Sequence, residues 1–582
     1  MQKYFWYLAV AMLAILGEVQ ITSVSQESQT VDESVHLVAG YSFLKTGAYW
    51  IAPEHPPLVR TLCALPLLLL KPELAINDET YRNRLPGHFG KKFLYANRIS
   101  ADTMLFAARA MTVILTLLLG FAVALWCKKQ FGPTVALLAL LLFCLDPNIT
   151  AHGRYVTTDM GVTLFFFLAC VNWTAYLLTF RRRDLLLSGL TLGLALASKF
   201  SAIWLLPLFL ILYAIRSLQR SAFSPRTCVT SFVILGGVAF AVLYATYAFE
   251  TRPLISAKAS IDPELSLAGK LRAKGDRAEG LSKELEKHPV LARILDFLAR
   301  RMPVPAAPYF TGVYQVALHD TGGHLSYLLG QTSQTGWWYY FPVAFTVKTP
   351  TATLLLLALA IIIAFIRALA TRIREIPFVW FVLTVPPVYY FAIAMKSNID
   401  IGYRHILPIL PFLFIFIAAT LLTSPWQRRI WLRSALTFFI IALAAEYVWI
   451  YPHYLAFFNS ASGGSNNGAR YLVDSNLDWG QDLKNLGAYL RNKNISTVCL
   501  SYFGIADPEY YGIQSHFIPA PPAKDCIAAI SATSLYLLDP AHAWLRSYQP
   551  IAKIGYSIFV YDLRYSPAQS TFKTSATRPL GP

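Results

Sequence analysis

The chain has 582 residues, 55% hydrophobic and only 14% charged, with a formal excess of 18 positive charges. That balance lies outside the soluble globular range and excludes an ordinary water-soluble domain. The cations fall in short clusters between apolar runs, the pattern of cytoplasmic membrane anchors, so nucleic acid is excluded as a partner. None of the seven cysteines has CxxC or Cys/His spacing, which argues against a structural zinc site.

In chain order, the first apolar stretch, "YFWYLAVAMLAILG", is followed by no clear small-x-small cleavage site and reads as a retained helix. Apolar segments suited to spans follow near residues 103–126, 133–147, 159–180, 185–198, 200–216, 229–249, 350–367, 377–395, 405–423 and 431–451, making eleven with residues 4–24. With the N-terminus inside, every cytoplasmic connection is basic. These connections hold Lys128 and Lys129; Arg181 to Arg183; Arg216, Arg220 and Arg226; Arg367, Arg372 and Arg374; and Arg428, Arg429 and Arg433. This orientation predicts a protein of the cytoplasmic (inner) membrane.

One segment needs its own argument. From Leu185 to Ile215 only Lys199 is charged, and a single helix of that length would run about 46 Å against a hydrocarbon core of about 30 Å. Arginines at both ends place both on the cytoplasmic side, so the chain turns back at "SKFS" with Lys199 at the outer tip. The polar mass then lies outside, in loops 25–102 and 250–348 and in the tail. "LVRTLCALPLLLL" is too short to span and suits a helix along the outer interface. Residues 262–302 have the charge spacing of an amphipathic surface helix or pair. The domain organisation expected is a membrane body over 1–451, a small α/β domain over 452–565 and a disordered tail over 566–582. In the α/β domain "DLKNLGAYLRN" reads as helix, and "STVCLSYFG", "TSLYLLD" and "YSIFVYDL" read as strands. Cys499 and Cys526 can pair if that domain is extracytoplasmic. No duplicated half of the transporter kind is visible.

This topology brings Asp32 and Glu33, Asp159, Lys199 and Arg404 to one face of the membrane. Ionisable groups beside hydrocarbon are costly unless paired or solvated, so such a set is a site, an ion-pair network or both. Arg404 as a planar fork and Lys199 as a point charge suit a phosphate whose tail lies in the bilayer. A neighbouring carboxylate can accept a proton from an attacking hydroxyl. A lipid phosphate departs as an anion and needs no strong general acid, unlike the alcohol leaving in glycoside hydrolysis.

The stretches "DESVHLVAGYSFLKTGAYW" with "PEHPPL", "AHGRYVTTDM", "GLALASKFSAIWLLP" and "GYRHILPILPF" resemble the lipid-phosphate-sugar-dependent glycosyltransferases of the GT-C fold. Within it they are most similar to the bacterial branch of the protein O-mannosyltransferase and aminoarabinose-transferase superfamily (glycosyltransferase family 39-like). The resemblance implies a polytopic α-helical membrane protein of about 11 spans, with a small C-terminal α/β extracytoplasmic domain. It implies Asp32 as catalytic base or acceptor-orienting acid, Glu33 as the acid beside it, and Asp159 as an acid that orients Asp32 or helps hold a metal. Lys199 and Arg404 match the cations on the donor phosphate. His55 stands before Pro-Pro where the aminoarabinose branch has lysine, a departure that leaves its contact with phosphate open. The tail, with "DSNLDWGQDLKNLGAYL" and "YFGIADPEYYGI", is similar to that of bacterial members with an extra outer domain, without assigned chemistry.

Plainer readings stand beside these. Asp32 can be a helix N-cap, and Lys199 can snorkel to the interface. His55, His152, Arg154 and His405 form a second tier, able to line the pocket or pair with carboxylates or carbonyls. His36, His55 and Asp159 fit no metal signature, so no metal ligands are assigned and no cofactor is required, a divalent metal staying open as an alternative. Aromatics in "GWWYYFPVAF" suit an interfacial belt.

The expected activity is inverting transfer of a hexose or mannose-like sugar from a polyprenyl-phosphate donor to a hydroxyl of a protein, lipid or glycan acceptor. Membrane lipids would be partners. The main alternative is a transporter or lipid flippase using the same charges, and a third is a non-catalytic scaffold. Transporters place such charges near mid-membrane, whereas these cluster at one face.

Overall fold

The computed structural model describes residues 2–219, 224–254, 297–369, 371–372, 374–519 and 526–564. The expected amphipathic helix over 262–302 falls, up to residue 296, outside the described residues, as do Arg220 and the expected disordered tail.

Helices form at all eleven expected positions: Phe5–Val24, Ala101–Phe131, Pro133–Cys144, Asp159–Thr179, Arg182–Leu196, Leu205–Gln219, Pro225–Thr246, Thr351–Leu369, Phe378–Ala394, Leu410–Leu422 and Ile430–Trp449. Ser100 and Ser224 open two of them by accepting the backbone N–H of Thr103 and Thr227. Among the described residues, eight stretches are long and apolar enough to cross a membrane, and Pro133–Cys144 and Phe378–Ala394 are shorter apolar helices. The chain is a multi-pass membrane protein with a helical body.

Lipid tails give no hydrophobic drive for helices to associate, so close packing has to hold them together. Gly189 and Gly193, one turn apart, let helix Arg182–Leu196 press onto Pro225–Thr246. A Cβ on Gly193 would lie 2.6 Å from the Ala239 carbonyl oxygen. At the centre Trp173 stacks on Phe209 with ring centroids 5.1 Å apart. The two most enclosed spans, Asp159–Thr179 at 72% buried and Tyr403–Leu422 at 83%, open with Asp159 and Tyr403–Arg404. Two of the candidate site residues, Asp159 and Arg404, therefore sit on the most enclosed spans.

The break expected at "SKFS" is present. Helix Arg182–Leu196 ends, Lys199 is extended, a 3-10 turn covers Phe200–Trp204, and helix resumes at Leu205. The two limbs share Asp159–Thr179 and differ in their second neighbour: the first packs on Pro225–Thr246, the second on Phe378–Ala394.

In the first long loop, Glu33–Thr46 packs on Pro57–Ala64, the short helix foreseen at the interface. The two backbones nearly touch, because a Cβ on Gly40 would lie 2.1 Å from the Arg60 carbonyl oxygen. Leu69, just beyond, is 85% exposed, as fits an apolar group that meets lipid.

After the last membrane helix, residues 452–482 form only short 3-10 turns, lying against the same end of the bundle. Helix Leu483–Asn492 then packs on a five-stranded sheet of β1 (Thr497–Ser501), β2 (Gln514–His516), β3 (Ile527–Ser531), β4 (Ala552–Ile554) and β5 (Ile558–Asp562), in the order β2-β1-β3-β5-β4. β1 runs parallel to β2 and β3, and β5 antiparallel to β3 and β4. A disulfide joins Cys499 on β1 to Cys526 at the entry to β3, with Cα atoms 6.2 Å apart.

"TSLYLLD" departs from its expected strand: Ser534–Leu538 is a π-helical turn. Thr533 donates its N–H to Asp478 Oδ2 and its hydroxyl to the Asp478 carbonyl, pinning the chain away from the sheet. The central strand is instead the Ala-rich "IAAIS", whose weak β-propensity gave no signal.

The orientation can be checked by thiol labelling. In intact cells, mild reduction should open Cys499 and Cys526 to an impermeant maleimide, whereas Lys129→Cys should label only after permeabilisation. The reverse pattern would invert the topology.

Candidate functional site

Four element ends converge where the helical body meets the tail. Asp32 occupies the position before helix Glu33–Thr46 but makes no capping bond with its side chain. Instead its Oδ2 accepts from Arg404 Nη1 at 3.1 Å. Arg404 lies in the 3-10 stretch Tyr403–Ile409 that opens helix Leu410–Leu422. Its Nη1 also lies 3.7 Å from Asp159 Oδ2, while Lys199 Nζ donates to Asp159 Oδ1 at 2.5 Å. Two acids and two cations from four distant parts of the sequence thus form one alternating network. Asp159 is 1% exposed, and the Asp32 side chain is 30% exposed. Asp32 is therefore the carboxylate that an incoming group can reach.

Glu33, next in sequence, is elsewhere. Its carboxylate is fully buried and takes both Nε and Nη2 of Arg109 at 2.8 and 2.6 Å, with the backbone N–H groups of Thr30 and Val156 at 2.8 and 3.0 Å. Burial works to raise its pKa, but Arg109 and these donors outweigh it and hold the carboxyl below its usual range. Four donors saturate its two oxygens, so its place is architectural and not beside Asp32 in the pocket.

The second-tier residues divide in the same way. Arg154 is fully buried and donates to Glu27 Oε1 at 2.7 Å and to the Pro452 carbonyl at 3.3 Å, while the Tyr155 hydroxyl donates to Glu27 Oε2 at 2.7 Å. It ties the first loop to the tail and does not line the pocket. His36 and His55 meet edge to face, with ring centroids 4.6 Å apart. Burial, first of all, pushes His36 down to about 4 and His55 well below its usual value, so both are neutral at physiological pH. Burial likewise pushes His152 down to about 3; its ring meets that of Trp479 with centroids 6.3 Å apart. His405 follows Arg404, and its Nε2 has no hydrogen-bond partner among the described residues. No group of three or more His, Cys, Asp or Glu arranged to hold a metal occurs among the described residues.

Sequence reasoning passed over three features. The tail enters the site: the Trp479 ring lies 4.3 Å from the Arg404 guanidinium carbon. Arg109 and Glu27 complete the buried pairs; Arg109, the lone cation inside an apolar helix, was a readable signal. Finally, His55 borders a cavity of about 270 Å³ whose lining includes Arg60, Arg84 and Arg252 beside Tyr49, Trp50 and Tyr247. Arg60 is buried and donates to the carbonyls of Ile51 and Ala52. The Leu58 N–H donates to the Ala197 carbonyl at 3.2 Å, so the segment bearing His55 and Arg60 is fastened two residues from Lys199 and the cavity adjoins the network.

Removing one partner of a buried ion pair leaves the other uncompensated, so Glu33→Gln should cost about 3–5 kcal/mol of stability. Asp32→Asn, at a half-buried position, should leave thermal unfolding in detergent close to wild type. Equal loss in both variants would contradict this division.

No curated protein matches the chain. Among solved structures, ArnT from Cupriavidus metallidurans bound to undecaprenyl phosphate is similar at 12% identity and a TM-score of 0.48, covering 96% of this chain and 98% of that one. The Archaeoglobus fulgidus oligosaccharyltransferase, in complex with Zn and sulfate, is similar at 12% identity and a TM-score of 0.43, covering 88% of this chain and 58% of that one. Residues 96–246, which carry Asp159 and Lys199, match the family described as dolichyl-phosphate-mannose-protein mannosyltransferase, and over that segment the chain is similar to this family.

Proposed function

We propose that the chain is a membrane glycosyltransferase that moves a sugar from a polyprenyl-phosphate donor to a hydroxyl acceptor, with inversion, at the extracytoplasmic face. The observation that carries this reading is Asp32: a partly exposed carboxylate at the tail end of the bundle, oriented by Arg404, which also lies 3.7 Å from Asp159. The family match over residues 96–246 supports it.

In this reading the acceptor hydroxyl donates its proton to Asp32 Oδ2 as its oxygen attacks the anomeric carbon. The bond from that carbon to the phosphate oxygen breaks, and its electron pair stays on the phosphate. Lys199, already neutralised by Asp159, and Arg404, shared with Asp32, steady the developing anion from one side. Arg60, Arg84 and Arg252 in the adjoining cavity receive the phosphate from the other, with His55 between. The lipid enters sideways from the outer leaflet, so its sugar must already face outward. Hexose or mannose as the sugar, and protein, lipid or glycan as the acceptor, are parts of this proposal.

A flippase or transporter would use such charges as a path across the membrane. Here they occupy helix ends and loops at one end of the bundle, which favours the transferase.

Purified protein, incubated with radiolabelled polyprenyl-phosphate hexoses and candidate acceptors, should form labelled product with inverted anomeric configuration. Loss of a general base lowers rates by about 10²–10⁴, so Asp32→Asn should fall at least about 100-fold; Arg404→Ala, which removes a donor to the developing anion, should fall about 100-fold or more. Equal transfer by all three proteins would sink the assigned roles. Arg84→Ala and Arg252→Ala should raise the donor KM about tenfold, a loss of ~1.4 kcal/mol each, with kcat little changed. An unchanged KM would remove the phosphate from that cavity.

A further inference from the structure

The stretch "YFGIADPEYYGI", Tyr502–Ile513, takes no part in the site above, yet it borders a crevice of about 960 Å³. In the outer domain β1 runs parallel to both of its neighbours, and the chain passes from β2 on one side of it to β3 on the other. Open sheets with such a reversal take ligands outside the carboxyl ends of their strands, where the connections part. The crevice lies there. Ser501 closes β1, His516 and Phe517 lie where β2 ends, and Asp539 and His542 follow β3. The facing wall is helix Pro86–Tyr95 of the first loop, with Lys91. The volume stands at the upper end of the about 300–1,000 Å³ usual for small-molecule sites, room for more than one sugar ring.

Asp539 is the centre of the polar lining. The Ser501 hydroxyl donates to Asp539 Oδ2 at 3.0 Å, while His542 holds Nδ1 2.6 Å from the same oxygen and Nε2 3.0 Å from the Ile518 carbonyl oxygen. The segments leaving all three parallel strands are thus clasped around one carboxylate. Both contacts fall on Oδ2, and Oδ1 has no hydrogen-bond partner among the described residues. The lining holds no surplus of either charge: Lys91 Nζ is 3.5 Å from Asp507 Oδ1, and Asp539 has His542 beside it. Phe517 adds a flat apolar ring that is 95% exposed. An accepting oxygen, an aromatic face and balanced charge suit an uncharged polyol. An extended peptide would instead look for an unpaired strand edge, and this crevice crosses strand ends.

Both walls lead to the transfer site. On the loop side, Gly90 lets helix Pro86–Tyr95 press onto helix Glu33–Thr46, since a Cβ there would lie 3.0 Å from the Ser34 carbonyl carbon, two residues from Asp32. On the domain side, the Tyr502 hydroxyl donates to the Gly480 carbonyl within "DSNLDWGQDL", Asp474–Leu483. In that stretch the Trp479 and Gln481 carbonyls accept the N–H groups of Val31 and Ser28, both at 2.9 Å, and the Trp479 ring lies against Arg404.

We propose that this crevice binds an uncharged carbohydrate chain, the part of the acceptor remote from the hydroxyl that reacts. Asp539 Oδ1 accepts from its hydroxyls and Phe517 stacks on a sugar ring. That the chain is the acceptor rests on the transferase reading above; that it binds does not. No bond is made or broken in the crevice, which supplies binding energy along walls that end beside Asp32 and Arg404.

Two measurements on the full chain in nanodiscs test this. In the first, an array of uncharged oligosaccharides, acidic oligosaccharides and unstructured peptides is probed with wild type, Phe517→Ala and Asp539→Asn, alongside thermal unfolding. Phe517 is exposed, so its truncation leaves the fold intact. Asparagine can keep its oxygen toward Ser501 and His542 and puts an NH2 where Oδ1 was. Wild type should bind uncharged oligosaccharides, and each variant should bind them at least about fivefold more weakly with unfolding unchanged. No binding, binding confined to acidic oligosaccharides or peptides, or binding that neither substitution weakens overturns the proposal.

In the second, transfer is measured with an oligosaccharide acceptor selected on the array and with its terminal monosaccharide. Phe517→Ala should raise the KM of the oligosaccharide about fivefold, leaving kcat, the donor KM and all constants for the monosaccharide within about twofold of wild type. An unchanged oligosaccharide KM overturns the acceptor role. A wild-type protein that binds oligosaccharides in this way and transfers no sugar to them establishes the binding site, and overturns the transferase reading and with it the acceptor role.

Discussion

The guanidinium of Arg109, buried in the middle of the protein, holds the rest of the site in register. A cation at that depth is tolerated only if its donors find oxygen, and they do. Two go to Glu33; the others reach the carbonyls of Val24, Glu27 and Ser28 at 3.1, 3.3 and 2.8 Å. These acceptors belong to the end of the first helix and the loop after it. One side chain from a third element therefore fixes where the first membrane helix stops and where Glu33–Thr46 begins. Consecutive helical residues point about 100° apart, so the anchoring of Glu33 turns Asp32 outward toward Arg404. Two adjacent acids, alike in sequence, end in opposite roles.

A second arginine extends the same logic to the tail. Arg154 binds Glu27 of the first loop and the Pro452 carbonyl at the exit of the last membrane helix. The loop carrying Asp32 is thus fastened to the body by Arg109, to the tail by Arg154, and to "DSNLDWGQDL" by backbone bonds. Neutral histidines fill the space around the charged network without adding cations that would compete for its carboxylates. The network's cations remain Lys199, placed by a break between two apolar helices, and Arg404, placed by the 3-10 stretch that opens another.

Much of this was legible in the sequence because it obeys local rules. Span length and flanking arginines gave the eleven helices, and the length from Leu185 to Ile215 demanded the break at Lys199. Placing Asp32, Asp159, Lys199 and Arg404 on one face followed from counting crossings. What escaped depends on contacts between distant residues. Nothing local in "TSLYLLD" announces that Asp478 will capture Thr533, nor does "DSNLDWGQDL" reveal which loops it will meet. Glu33 looked equivalent to Asp32 because residue type is blind to the direction of a side chain. The arginine-lined cavity joins Arg60, Arg84 and Arg252 across almost 200 positions, a juxtaposition that no spacing rule encodes.

The contact at Gly40 has a consequence for selectivity. With the Arg60 carbonyl resting where a side chain would otherwise stand, helices Glu33–Thr46 and Pro57–Ala64 cannot slide past one another, since close-packed surfaces do not deform continuously. Asp32 lies at the head of one and Arg60 within the other. The interval from the carboxylate to the arginine-lined cavity is therefore a set length, a caliper built into the first loop. A molecule bridging the two is measured by its span as well as by its chemistry. A guest of the wrong length has to be accommodated by elements other than this helix pair.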